Sequence, residues 1–189
     1  DLPTPKHIRD KLKEVVDKPG VGRYSVSKGI IGLRKAQSKY YERRFGVKIN
    51  PETEVAVTLG SKEGLANLAQ AISSPGDFII TPNPSYPIHP YGFIIAGASL
   101  IHLKTIDNGI FDPETYLRRL DRAIRSSVPK PVALIVSFPS NPTAQVVDLN
   151  FYKEIIKLAL KYKVYVLSDL AYAEIYYDNN PPPSILQIN

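Results

Sequence analysis

"PVALIVSFPSNPTAQVV", residues 131–147, is the stretch on which the reading of the fold turns. Val132 to Val136 is apolar without a break, the pattern of a strand buried on both faces, as in the middle of a parallel sheet. The run meets Pro139 and Pro142 with Asn141 held between them, and "LNFYKEIIKLALKY" (149–162) then takes up helical spacing. Proline has no amide hydrogen to give to a ladder, so the strand has to stop there. A buried strand, an abrupt polar turn and a helix together make half of a β-α-β unit.

Outward from that stretch the same alternation repeats. "EVAVTLG" (54–60), "DFIITP" (77–82), "SLIHLK" (99–104) and "KVYVLSD" (163–169) read as further strands. Between and before them, residues 6–17, 30–45, 61–73, 87–98 and 112–127 read as helices. The first carries Ile8, Leu12, Val15 and Val16 on one face and ends before Pro19-Gly20, the second stops at Gly46, and the last has Asp112 as N-cap with Pro113 in its first position. Strands alternating with helices predict an α/β fold, a mostly parallel sheet with helices on both faces. At 189 residues the chain has material for one sizeable core and not two.

Composition narrows the function classes. The chain is 43% hydrophobic, yet no apolar run approaches the ~18 residues of a membrane-spanning helix. It begins with Asp and shows no secretory leader, so it reads as an excerpt of a longer protein. With no cysteine it has neither disulfides nor thiolate metal ligands, which fits a cytoplasmic setting. Its net charge of +6 is dispersed; the densest basic stretch, "RKAQSKYYERR" (34–44), has helical spacing and its own Glu42, which points to a solvated helix face rather than a nucleic-acid stripe. "NNPPPS" (179–184) is the one linker-like tract.

In open parallel sheets ligands bind beyond the carboxyl ends of the strands, so chemistry is to be sought just after each apolar run. Four places qualify. "TLGSKEG" turns from strand to helix through Gly60, with Ser61 as the expected N-cap and Lys62 next to it; the amides of that first helical turn suit a phosphate, although a plain helix cap and a surface lysine would look the same. "TPNPSYP" fixes Tyr86 between prolines, where its ring can stack on a planar ligand or simply pack on its own domain. "FPSNPTA" holds Asn141, an amide donor and acceptor in one side chain, on a backbone whose X-Pro bonds before Pro139 and Pro142 are candidates for the cis form. "VLSDLAYAE" brings Asp169 out of an apolar strand, with Tyr172 three residues on. A carboxylate in that position needs a cation or hydrogen-bond donors, and a helix cap or a Lys/Arg pair is the simple alternative.

The order and spacing of these signals resemble the fold-type I pyridoxal-phosphate enzymes, the class I/II aminotransferases of the aspartate aminotransferase superfamily. The likeness runs from "GRYSVSKGIIGLR" to "SDLAYAEIYYD", and "NPSYPIHPYGFIIAGA" with "FPSNPTAQ" is similar to the bacterial glutamate–pyruvate (alanine) branch and the neighbouring diaminopimelate aminotransferases. The common family wording has Gly after "NPT"; here it is Ala144, as in that branch. The resemblance implies pyridoxal 5′-phosphate as cofactor. Gly60, Ser61 and Lys62 would hold its phosphate and Tyr86 its ring face; Asn141 and Tyr172 would hold the phenolic oxygen, and Asp169 the protonated ring nitrogen.

Tyr24, in "YSVSKGI" (24–30), would reach the phosphate of a second subunit across a homodimer. The residues 1–189 would then be one partial domain, an N-terminal segment and the front half of the cofactor-binding large domain. The family's Schiff-base lysine would lie beyond Tyr172, and none of the residues from Ala173 to Asn189 is a lysine. The expectation is therefore an aminotransferase fragment, inactive alone, from a parent that moves an amino group between an L-amino acid of the alanine, aspartate or glutamate type and a 2-oxo acid. A lyase or decarboxylase would use the same ring contacts. A noncatalytic aminotransferase-like domain of a transcription regulator is a second class, and a phosphate-binding α/β domain a third, although the third gives Asn141, Asp169 and Tyr172 nothing to do. No metal, nucleic acid or membrane partner is implied.

Overall fold

The computed structural model describes residues 2–24 and 26–188. In chain order the elements are α1 (Lys6–Val16), α2 (Ile31–Phe45), α3 (Gly60–Ile72), β1 (Phe78–Asn83), α4 (Ile88–Ile95), β2 (Ser99–Lys104), α5 (Pro113–Ser126), β3 (Ala133–Ser137), α6 (Leu149–Tyr162) and β4 (Tyr165–Asp169), followed by a 3-10 turn at Ile185–Gln187. The four strands form one parallel sheet in the order β2-β1-β3-β4.

Successive side chains of a strand point to opposite faces, and this decides how the layers stack. Ile79, Ala133 and Ile135 meet Ala69 of α3 and Phe93 of α4 on one face. Ile80, Leu134 and Val136 meet Tyr116, Leu120 and Ile124 of α5 and Phe151, Tyr152 and Ile155 of α6 on the other. β3 is buried along its whole length, as its unbroken apolar run predicts. The result is the α/β fold expected from the sequence, helices on both faces of a parallel sheet.

Aspartate caps place two of these helices, and of the two the sequence predicted Asp112. Asp112 accepts from the Thr115 amide at 2.9 Å with Pro113 in the first turn, and Asp148 accepts from the Phe151 amide at 2.8 Å to start α6 directly after the "NPT" loop. Gly46 closes α2 in the left-handed conformation, φ 70°. α4 is shorter than the expected 87–98, because the chain turns at Gly97 with φ 87° to enter β2.

One expected strand is absent. "EVAVTLG" keeps an extended, half-buried course, with Val55 and Val57 partly covered and Ala56 and Thr58 exposed, but it pairs with no strand among the described residues. A strand exists only through a neighbour's amides and carbonyls. Here, among the described residues, the one backbone bond to a distant segment is from the Val57 amide to the Lys28 carbonyl, 3.0 Å. That contact explains Gly29: a Cβ there would sit 2.5 Å from the Val57 side chain, on a residue with φ +83°. α1 buries none of its residues; Ile8 and Leu12 lie in the open.

The strand order sets the position of the site. From β1 the chain moves outward to β2, then crosses back to β3 on the other side of β1, so the order reverses between β1 and β3. These two strands share only the pairs Ile79–Ala133 and Ile80–Leu134, whereas β1 pairs with β2 along its full length. Beyond that short ladder they part, and a crevice opens at their carboxyl ends, where such sheets bind ligands.

Candidate cofactor site

The crevice encloses a cavity of about 270 Å³, at the small end of ligand pockets, roughly 300 Å³ and upward. Seven of the eight residues singled out from the sequence line it: Gly60, Ser61, Lys62, Tyr86, Asn141, Asp169 and Tyr172. They come from three strand ends and one helix start, which the β1–β3 reversal brings together. Tyr24 does not; its side chain is fully exposed on the segment before α2.

At one end is the start of α3. Helix formation begins at Gly60, with Leu59 in the cap position and no side chain capping it, so Ser61 is not the N-cap that its residue type predicts. The reason is local. The Glu63 carboxylate reaches back to the Leu59 amide and the Gly60 amide is bound to the Thr58 carbonyl at 2.9 Å, which closes the turn without a serine. Gly60 has φ +80°, a conformation that costs other residues roughly 1–3 kcal/mol. Ser61 and Lys62 then sit in the first turn, whose amides have no intrahelical partners, at the positive end of the helix dipole.

Tyr86 follows β1, past a cis Asn83–Pro84 bond. Its ring meets His89 edge-on at 6.1 Å between centroids, and the Lys62 ammonium lies 5.2 Å from its centre. The ring is thus held by a neighbour on α4 and a cation on α3.

Past β3, both Phe138–Pro139 and Asn141–Pro142 are cis. The loop secures itself: the Gln145 amide donates to Ser140 Oγ at 3.0 Å, the Ser140 amide to the Gln145 carbonyl at 3.0 Å, and Ala144 sits at φ +54°. That positive φ is the physical reason a glycine suits the position after "NPT". From this loop Asn141 Nδ2 donates to the Tyr172 hydroxyl oxygen at 2.9 Å. The phenolic proton of Tyr172 and the second amide proton of Asn141 remain to be given to an acceptor in the cavity.

Asp169 is the last residue of β4, and its side chain is only 8% exposed. Its partner is neither a helix amide nor a Lys or Arg but His89, whose Nε2 lies 2.9 Å from Oδ2. His89 is wholly buried, and its Nδ1 has no hydrogen-bond partner among the described residues. One carboxylate oxygen is therefore fixed from behind, while the other, with no partner among the described residues, belongs to a side chain on the cavity wall. His89 is the residue that sequence reasoning missed. Its signal is faint: one histidine in the "PIHP" after Tyr86, on the first turn of α4.

These groups fit pyridoxal 5′-phosphate end for end. Free helix-terminal amides and a lysine stand at one side for an anion, a rigid aromatic ring offers a flat face, two donors converge for a phenolate oxygen, and a buried carboxylate suits a pyridinium N–H. Among the described residues no group of three or more His, Cys, Asp or Glu side chains comes together.

A doubly wound α/β sheet with a crevice at this reversal is an architecture in which ligands bind beyond the carboxyl ends of the strands. The chain belongs to the aminotransferase class I and II family, a pyridoxal-phosphate-dependent family whose model matches residues 1–188. It is 57% identical over 188 residues to AatC of Rhizobium meliloti (strain 1021), covering 100% of this chain and 45% of that protein. It is 49% identical over 188 residues to the glutamate-pyruvate aminotransferase AlaC of Escherichia coli (strain K12), covering 100% of this chain and 44% of that one. Among solved structures it resembles aspartate aminotransferase from Thermus thermophilus with maleate, with a TM-score of 0.87, 30% identity and coverage of 100% of this chain and 47% of that one. The chain spans about half the length of the curated relatives it matches. Among the described residues no helix is long and apolar enough to cross a membrane.

Proposed function

We propose that residues 1–189 are the front half of the cofactor-binding large domain of a pyridoxal-phosphate-dependent aminotransferase that exchanges an amino group between an L-amino acid of the alanine, aspartate or glutamate type and a 2-oxo acid. The observation that carries this is the placement of Asp169: a buried carboxylate, braced by His89, on the wall of the cavity that Asn141, Tyr172 and Tyr86 also line. When bound, the cofactor supplies an electron sink for the charge left at the substrate Cα. Asp169 keeps the ring nitrogen protonated, and His89 keeps Asp169 aimed. Asn141 and Tyr172 give hydrogen bonds to the phenolic oxygen, Tyr86 covers the ring, and Ser61, Lys62 and the Gly60 turn hold the phosphate.

Tyr24, fully exposed, reaches the phosphate of a second subunit in a homodimer of the parent protein. Residues 1–189 supply the ring and phosphate contacts, and none of residues 173–189 is a lysine. The test is an absorbance titration of the chain with pyridoxal phosphate, paired with keto-acid formation from alanine, aspartate or glutamate by the full-length parent carrying Asp169 or Asp169→Ala. Saturable binding and loss of nearly all turnover on substitution are expected. Retained turnover in Asp169→Ala would overturn the assignment.

A further inference from the structure

We propose that Arg44 is a positioning residue for the cofactor site: from α2 it holds the turn that carries Tyr172, and so aims that phenol at the phenolic oxygen of the bound cofactor. The inference rests on the cofactor reading above and adds to it a residue that lies outside the cavity.

Tyr172 needs such a hold. Its chain is fixed on one side by β4, whose last pair is Ser137–Asp169. On the other side no helix or strand follows among the described residues until the 3-10 turn at Ile185–Gln187. The backbone bonds around Tyr172 are local ones, from the Ala173 amide to the Leu170 carbonyl at 3.3 Å and from the Ile175 amide to the Tyr172 carbonyl at 3.1 Å. Asn141 meets the Tyr172 hydroxyl, but a bond at the tip of a side chain does not fix the backbone that carries it. A hydrogen bond weakens steeply with misalignment, so the donor is only as useful as its turn is steady.

Arg44 steadies it. Its Nη2 donates to the Ala173 carbonyl at 3.1 Å and to the Pro182 carbonyl at 3.2 Å, and its Nε donates to the Glu174 carboxylate at 3.0 Å. One guanidinium thus grips the two residues that follow Tyr172 and ties them to the far end of the segment. Tyr40, one helical turn before Arg44, gives its hydroxyl to the same carboxylate. Among the described residues these two side chains of α2 make every hydrogen bond that 173–183 receives from elsewhere in the chain. The end of α2 can bear the load, because Phe45 is buried and the guanidinium lies over its ring, 4.6 Å from the centre. A lysine would keep the charge but not the planar fork that serves three acceptors at once.

The experiment is a double-mutant cycle in the full-length parent, read as affinity for pyridoxal phosphate by absorbance titration. Arg44→Lys should weaken binding severalfold, up to the about tenfold of Tyr172→Phe, since both act on the same hydrogen bond to a charged oxygen. In the Tyr172→Phe background Arg44→Lys should cost less than about twofold, because the hydroxyl it aims is already gone. Unchanged affinity in Arg44→Lys, or the same loss in both backgrounds as independent sites give, would overturn the role of Arg44 and leave the cofactor site standing. A pH titration of the bound cofactor's absorbance gives a second reading. Fewer donors to the phenolic anion raise its midpoint, so the midpoint should rise in Arg44→Lys as in Tyr172→Phe; a rise in Tyr172→Phe alone would also overturn the role of Arg44. Should Arg44→Lys fail to fold, Glu174→Ala removes one of the three contacts at an exposed side chain, and it should show the same dependence on the Tyr172 hydroxyl at about threefold. No effect of Tyr172→Phe on affinity or midpoint would overturn the cofactor reading of Tyr172, and the positioning role with it.

Discussion

Replacing Asp169 separates two things the residue does. In Asp169→Ala the ring of the buried His89 loses its only hydrogen-bond partner among the described residues, and both ring nitrogens are then stranded at 1% side-chain exposure. Leaving a buried polar group unpaired costs about 1–3 kcal/mol. In a chain of this length that corresponds to roughly 2–4 °C in Tm per kcal/mol. Asp169→Asn keeps an oxygen for His89 Nε2–H but removes the charge, so its stability should stay within about 1 kcal/mol of wild type, the scale of one neutral hydrogen bond. Its affinity for pyridoxal phosphate should nonetheless fall with that of the alanine variant, because a neutral amide cannot hold the ring nitrogen protonated. Urea denaturation followed by circular dichroism gives the stabilities, and absorbance titration gives the affinities. Destabilisation of less than about 0.5 kcal/mol in Asp169→Ala, below the range for a stranded buried group, would show that the His89 contact is not what secures the carboxylate. Unchanged cofactor affinity in Asp169→Asn would refute the electronic role.

Three further outcomes can be checked. Tyr172→Phe removes one donor to the phenolic oxygen and the acceptor of Asn141 Nδ2, so cofactor binding should weaken about tenfold or more, the measure of a hydrogen bond to a charged group, while stability changes little. Ala144→Gly should stabilise the chain by up to about 1 kcal/mol in urea denaturation, because φ +54° suits glycine, the gain being reduced by glycine's freer unfolded state; destabilisation would count against the strain argument. The Glu174 carboxyl is held below its usual range by the Tyr40 hydroxyl and the Arg44 guanidinium, which tie α2 to the chain after β4. A lowered carboxylate pKa means stability present above the unfolded-state value and lost as pH falls through the folded-state value. Proteolysis of the 170–183 segment should thus accelerate below the ordinary carboxylate range, and Glu174→Gln should remove that pH dependence.

Most of the fold was legible because its signals are local. The unbroken apolar run of β3, the Asp112-Pro113 start of α5 and the Gly46 stop of α2 each act within a few residues of where they are written. The site was partly legible for the same reason, since a residue just after a buried strand is at the rim whatever the rest of the chain does. Expectation failed where the outcome depended on a partner elsewhere. "EVAVTLG" has the composition of a strand but no neighbour to pair with among the described residues. Ser61 has the residue type of a cap, but Glu63 and Thr58 had already closed the turn.

By itself, then, the sequence determined the alternation of elements, the rim positions of Tyr86, Asn141, Asp169 and Tyr172, and the family likeness that their order carries. Only the tertiary structure decided that the chain reverses between β1 and β3, that those residues share one cavity with the start of α3, and that His89, 80 residues before Asp169 in the chain, stands behind its carboxylate. The reason is physical. Helix caps and strand runs are satisfied by near neighbours along the chain, whereas a buried carboxylate is stabilised by whichever donor folding brings within hydrogen-bond reach, and no local pattern records which one that is.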